Sequence, residues 1–247
     1  MKSNSATRVS SAVKLDRMND ESRLNLECVV RETGSAPAHA VIWLHGLGAD
    51  GHDFVPIVPH LKSAALRPVR FIFPHAPVRP VTINGGMQMR AWYDIRGMQI
   101  DRDQDQQGIQ DSLAAVHRLI DQQIESGIAP ERLVLAGFSQ GGAMALRAGL
   151  ERESPLAGIM ALSCYLLDAG ELSRWARSGN SQVPIFMGHG DHDPIVPVGL
   201  GQASVRALES AGFAVQWQTW PMPHSVSPEE IVAIDEWLER VWSKARN

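Results

Sequence analysis

Ser139 is the residue whose setting most directly implies chemistry. It stands in Gly137-Phe138-Ser139-Gln140-Gly141, a G-x-S-x-G pattern. An apolar run at 132–136 precedes it, and a small-residue segment with Gly142, Ala143 and Ala145 follows. That is the strand–turn–helix setting of a nucleophile elbow. The turn is tight and strained, so side chains two residues away on either side would collide with neighbouring backbone. Glycines at both positions relieve this and hold the hydroxyl out of the sheet. The plain alternative is a Gly-rich turn with a structural serine.

A serine hydroxyl is a weak nucleophile until a base takes its proton. The chain has nine histidines, and His224 is the last, in Trp220-Pro221-Met222-Pro223-His224-Ser225. It lies between a strand-like run and the final helix, the slot for the base when the order is Ser–Asp–His. The alternative is an exposed loop histidine. The acid belongs in the loop 188–197, where Asp191 and Asp193 compete. Asp193 leads into Pro194-Ile195-Val196-Pro197, a fixed turn, and is favoured. Asp191, nearer the strand end, suits a turn cap. The acid would hold the imidazole tautomer and stabilise the imidazolium that forms. His189, Asp191, His192 and Asp193 also look like a metal-ligand cluster, but a metal there would compete with the acid. No metal and no cofactor is expected.

The charge that develops on a substrate carbonyl needs aimed backbone N–H groups. One is that of Gln140, the residue after the nucleophile. The other is that of Leu47, in His45-Gly46-Leu47-Gly48 at the end of an early strand. His45 reads as a residue that stabilises the turn.

These residues need a scaffold to bring them together. Apolar strand-like runs at 24–31, 39–44, 69–73, 132–136, 158–162, 183–187 and 213–219 alternate with helical patterns at 53–65, 105–126, 140–151, 167–177, 199–211 and 228–245. In 105–126, Ile109, Leu113, Val116, Ile120 and Ile124 recur every three or four residues and make one helix face. Alternating strands and helices imply an α/β fold with a mostly parallel central sheet covered on both faces. Residues 74–97 break this rhythm. They are rich in Pro and Gly yet carry Met87, Met89, Trp92 and Tyr93, which suits a wall or hairpin over a pocket. Leu166 and Leu167 would face them across an apolar groove, unless these side chains are ordinary core. The C-terminal tryptophans Trp217, Trp220, Trp237 and Trp242 read as core.

Composition bounds the class. The chain has 247 residues, 44% hydrophobic and 20% charged, with net charge −4. α/β folds run to about 200–250 residues as one domain, and the loops that must meet are spread along the chain. One domain over 24–247 is therefore expected, behind a polar leader at 1–23 that reads as disordered. Met18 would be a natural start if the residues before it were added in cloning. No basic face or high pI suggests a nucleic-acid partner. No run approaches the roughly 20 apolar residues that span a bilayer. Two lone cysteines, Cys28 and Cys164, fit a reducing, cytoplasmic compartment.

Five segments carry a family resemblance: HGLGADGHDF (45–54), PHAPVRPVTINGGMQMRAWYDI (74–95), GFSQGGAMAL (137–146), LSCYL (162–166) and HGDHDPIVP (189–197). Together they resemble the acyl-protein thioesterase/carboxylesterase/lysophospholipase family of α/β-hydrolases, with wording similar to its bacterial carboxylesterase branch. The resemblance implies Ser139 as nucleophile, Asp193 rather than Asp191 as acid, His224 as base, and Leu47 and Gln140 as oxyanion donors. It implies hydrolysis of carboxylic esters of short to medium acyl chain. S-acylated proteins or lysophospholipids are alternatives on the same site. It also implies that 74–94 walls the acyl groove and that a homodimer is compatible with the chain. Lyases and perhydrolases share the fold, and a non-catalytic binding module is a further rival. Such modules usually lose a triad member, and here all three are present.

Overall fold

The computed structural model describes residues 25–97, 99 and 103–244. The expected leader at 1–23 and the alternative start at Met18 lie outside the described residues. The strands are β1 (Cys28–Glu32), β2 (His39–Leu44), β3 (Val69–Pro74), β4 (Val78–Val81), β5 (Met87–Arg90), β6 (Leu133–Phe138), β7 (Gly158–Leu162), β8 (Ile185–Gly190) and β9 (Val215–Trp220). The helices are α1 (Lys62–Ala65), α2 (Gln106–Glu125), α3 (Gln140–Glu151), α4 (Leu172–Trp175), α5 (Val198–Ser210) and α6 (Pro228–Lys244).

Seven strands form one sheet in the order β1-β3-β2-β6-β7-β8-β9. All neighbours pair in parallel except β1, which runs antiparallel to β3 at one edge. The inner strands β6, β7 and β8 are buried almost throughout, as expected where helices cover both faces. On one face α2, α3 and α5 bury Ile109, Leu113, Leu146 and Leu208. On the other, α1 and α6 bury Ala64, Ile234, Trp237 and Trp242. Trp220, Trp237 and Trp242 are core, and Trp217 is half-buried. This is an α/β-hydrolase architecture.

Two helical expectations are corrected. Residues 53–65 form a 3-10 segment, Val55–His60, followed by the four-residue α1. Pro56 and Pro59 interrupt the run, because proline has no N–H to donate and its ring crowds the preceding turn. Residues 167–177 also break, into a 3-10 turn at Ala169–Glu171 and the four-residue α4. There Asp168 is left-handed, with φ 47°. Its carboxylate is held by Arg147 Nη1 and Gln106 Nε2, both at 2.7 Å. The first strand starts at Cys28 rather than at 24, and β8 and β9 each extend about three or one residues beyond their expected ends.

The irregular stretch 74–97 contains a two-stranded hairpin, β4 against β5, separate from the main sheet. Thr82, at the start of its turn, donates N–H and Oγ1 to Asp94 at 2.7 and 2.6 Å. Asp94 N–H in turn donates to Asp105 Oδ2 at 3.0 Å, just before α2 begins. A wall over a pocket was expected here, and a hairpin of that kind is what the backbone forms.

Candidate active site

Four loops meet beyond the carboxyl ends of parallel strands, where open α/β sheets form their crevices. They follow β2, β6, β8 and β9. At the end of β6, Ser139 takes φ 55° and ψ −122°. A non-glycine residue at positive φ is costly and persists only when its surroundings over-determine it. Here Ser139 N–H donates to Leu162 O at 2.8 Å, and its carbonyl accepts Ala143 N–H at 3.1 Å. A Cβ on Gly137 would run into the Gly141 carbonyl, and one on Gly141 into the Leu44 carbonyl. Both glycines are therefore dictated by backbone contact.

At the end of β8, the turn after Gly190 buries the Asp193 side chain completely. Its Oδ1 accepts the N–H groups of Ile195 and Val196, both at 2.8 Å. Its Oδ2 accepts from His224 Nδ1 at 2.6 Å. A bond at Nδ1 leaves Nε2 as the proton-accepting atom of the neutral ring. The His224 ring packs at 4.7 Å, centroid to centroid, on Phe138, the residue before Ser139. Asp191 and His192 are exposed instead. His189 is buried on the other side of the acid and pairs through Nε2 with Val196 O at 2.8 Å; burial lowers its pKa. The four-residue cluster at 189–193 therefore does not converge.

At the end of β2, burial lowers the His45 pKa to about 4, so its ring is neutral. Nε2 accepts Ala76 N–H at 3.0 Å, which puts the proton on Nδ1, bonded to Gly46 O at 2.7 Å. Gly48 N–H is bonded to Arg90 O at 2.9 Å. These bonds fix the loop on either side of Leu47 and match the turn-stabilising reading of His45. Gln140 opens α3, and the first N–H groups of a helix have no partner within it.

Leu47, Ser139 and Gln140 line one cavity of about 280 Å³ together with Tyr93, Ile195 and Val196. The expected substrate residues fare unevenly. Tyr93 lines the cavity, and its hydroxyl meets that of Tyr165 at 3.0 Å. Trp92, Leu166 and Leu167 are corrected to core positions. Trp92 acts as a post: its N–H donates to Gln140 Oε1 at 2.8 Å and its Nε1 to His45 O at 2.9 Å. Met87 is corrected to an exposed position on the hairpin, 62% accessible. Met89 is half-buried, with its sulfur accepting from Asn84 Nδ2 at 3.3 Å rather than lining the cavity. Ile83, Asn84, Ile95, Tyr165, Pro194, Ile195 and Val196 complete the lining and were missed. The turn at Ser163, φ 47°, explains one miss: strand alternation stops there, so Tyr165 rather than its neighbours faces the cavity.

One other cluster among the described residues gathers potential metal ligands: Asp50, His52 and His75, with ligand atoms within 4.8 Å of one another. His75 Nδ1 accepts Gly51 N–H at 3.0 Å, which places its proton on Nε2. That ring then offers a metal no free lone pair, and the trio does not make a ligand set.

The sequence profile of the phospholipase/carboxylesterase family matches residues 25–242. The chain is 43% identical over 209 residues to acyl-protein thioesterase 1 of Gibberella zeae, covering 81% of this chain and 89% of that one. Among solved structures, Arabidopsis thaliana SOBER1 superposes with a TM-score of 0.77 at 33% identity, covering 82% and 98% of the two chains. Zea mays acyl-protein thioesterase 2 superposes with a TM-score of 0.76 at 26% identity, covering 88% and 100%. With a profile match over most of its length and these relatives, the chain belongs to the phospholipase/carboxylesterase family of α/β-hydrolases.

Proposed function

We propose that the chain hydrolyses carboxylic esters or thioesters of short to medium acyl chain through an acyl-enzyme on Ser139. The observation that carries this reading is the bond from His224 Nδ1 to a fully buried Asp193, beside a serine held at a strained elbow. His224 Nε2 takes the hydroxyl proton as Ser139 Oγ attacks the carbonyl carbon. The N–H groups of Leu47 and Gln140 receive the oxyanion. The leaving alcohol or thiol departs with the proton from His224. Water then attacks the acyl-enzyme by the same route and releases the acid. No cofactor enters these steps.

The cavity supports the chain-length reading. A cavity of about 280 Å³ has room for a short or medium chain. Its lining is mainly apolar, which suits an acyl chain rather than a sugar. Similarity to acyl-protein thioesterase 1 supports thioesters as a second substrate class. A cytoplasmic site agrees with Cys28 and Cys164 as free thiols, and among the described residues no helix is long and apolar enough to cross a membrane. A homodimer belongs to the same proposal, and sedimentation reads it.

The expected result for Ser139→Ala is a loss of p-nitrophenyl acetate hydrolysis of roughly 10⁶-fold with the fold retained. It should also lose labelling by a fluorophosphonate. An active variant would overturn the nucleophile. A wild-type chain that resists the probe would favour a binding module, and carbon–carbon cleavage without ester turnover a lyase. A series from acetate to palmitate, run beside a matched thioester, fixes chain preference and substrate class.

A further inference from the structure

Glu230 is a buried acid that the proposed reaction does not use. Ser227-Pro228-Glu229-Glu230 spells a capping box, in which the glutamate should reach back to the N-cap N–H. Half of that box is made: Glu230 N–H donates to Ser227 Oγ at 3.2 Å. The Glu230 carboxyl, however, turns inward and is 0% exposed. Neither of its oxygens makes a well-formed hydrogen bond among the described residues; the Ser227 N–H is near enough only to draw its pKa down in part. Buried polar groups are rarely left this way, and each such case calls for an explanation.

Its location supplies one. Glu230 Oε1 occupies the space that a Cβ on Gly188 would need, beside the ring of Trp220. Gly188 lies in β8, two residues from the strand end that leads to Asp193. Trp220 closes β9 and leads to His224. Above this point the two loops lie directly on each other. Asp191 N–H donates to Trp220 O at 2.8 Å, and His192 N–H to Met222 O at 3.2 Å. A Cβ on Gly190 would strike the carbonyls of Met222 and Pro223. The carboxyl therefore wedges the first turn of α6 under the base of both loops.

We propose that Glu230, as the uncharged acid, is a positioning residue that keeps the His224 loop in register with the Asp193 turn. This rests on the Ser139–His224–Asp193 reading above. Burial pushes its carboxyl up to about 8 from an ordinary 4.5. The backbone N–H of Ser227 offsets part of that rise, and no charged group is among its causes. From β8 the group facing it is Gly188, while His189 turns to the opposite face against Gly201 of α5. From β9 it is Trp220, and on α6 itself Glu229 is exposed. Above pH about 8 the carboxyl ionises at a buried site where the Ser227 N–H is its one compensating group, and a buried charge without an opposite charge is driven toward water. Movement of Glu230 would carry α6's first turn, and His224 with it, out of line.

The test compares wild type with Glu230→Gln, which keeps the shape and stays neutral. Wild-type kcat should fall reversibly with one ionisation near pH 8 while KM stays level. E230Q should keep wild-type kcat at pH 7 within about threefold and lack that fall. Superimposable pH profiles would overturn the proposal. Infrared spectra of the wild type give a second readout that needs neither a variant nor a substrate. A protonated carboxylic-acid carbonyl band should persist at pH 7 and vanish reversibly near pH 8. Its absence at pH 7 overturns the proposal even if E230Q fails to fold. If the band is present but the protein hydrolyses no ester, the hydrolase reading fails and the neutral acid stands.

Discussion

Gln140 does two jobs with different atoms. Its backbone N–H opens α3 toward the cavity, and its side-chain amide ties down the opposite wall. Oε1 accepts Trp92 N–H at 2.8 Å and Nε2 donates to Tyr93 O at 2.7 Å. Trp92 O also accepts from Ser112 Oγ on α2. Removing the amide leaves two buried backbone groups unpaired, at about 1–3 kcal/mol each. Gln140→Ala should therefore lower stability by about 2 kcal/mol or more and kcat/KM at least tenfold, although the oxyanion donor proposed for this residue is its backbone N–H. Urea unfolding and steady-state kinetics on one ester check both. A glutamine in a G-x-S-x-G turn is visible in the sequence; its partners 48 and 47 residues away are not.

The hairpin of β4 and β5 is the element that shapes the cavity mouth, since Ile83 and Asn84 at its turn join the lining. Among the described residues it pairs with no strand of the main sheet, so the Gly48 N–H bond to Arg90 O and side-chain links hold it. Asp105 receives Asp94 N–H at 3.0 Å and lies 3.1 Å from Arg96 Nη2. Arg90 Nη1 donates to Ala76 O at 2.9 Å. Asp105→Ala should loosen the hairpin without touching the reacting atoms. The expected effect is a rise in KM that lowers kcat/KM about tenfold, worth roughly 1.4 kcal/mol, with kcat nearly unchanged. A medium-chain ester, which reaches the hairpin, should show it more than acetate. Hairpin and helix breaks were legible unequally: Pro and Gly density flagged 74–97, but the patterns at 53–65 and 167–177 hid proline and left-handed interruptions behind apolar spacing.

At the scale of the whole molecule, stability comes from two apolar layers on a sheet whose inner strands are buried on both sides. Trp242, on the last turns of α6, is fully buried and lies 5.5 Å from the His39 ring, with the Arg67 guanidinium 5.4 Å over it. Trp242→Ala should cost about 3–5 kcal/mol. At about 2–4 °C per kcal/mol for a chain of this size, Tm should fall by roughly 10 °C. Calorimetry checks it. A second global effect follows from Glu230. Its folded-state pKa, about 8, lies above the unfolded value of 4.5. Between those pH values the folded protein keeps a proton that the unfolded chain has lost. The stability it contributes is thus complete below about 4.5 and is lost progressively as pH rises to about 8. Melting curves of wild type and E230Q should diverge across that window and run parallel beyond it.

What the sequence determined by itself was local chemistry and strand-and-helix order. Gly137, Ser139 and Gly141 are legible because a tight elbow admits few residue types, and the alternation of apolar strands with amphipathic helices is legible because burial imposes periodicity. Between Asp191 and Asp193 the residues favour the second without excluding the first. The geometry that supports Asp193 is tertiary: its carboxylate is buried against two N–H groups and His224, while that of Asp191 faces water. The cavity lining was decided in three dimensions. Whether a Met, Trp or Leu is wall or core depends on how far the chain has turned at Ser163 and how the hairpin folds over, and no spacing in the sequence records those angles. The carboxyl of Glu230 is the clearest case: its local motif specifies a helix cap, and only the packing of α6 under β8 and β9 buries it against Gly188 and Trp220.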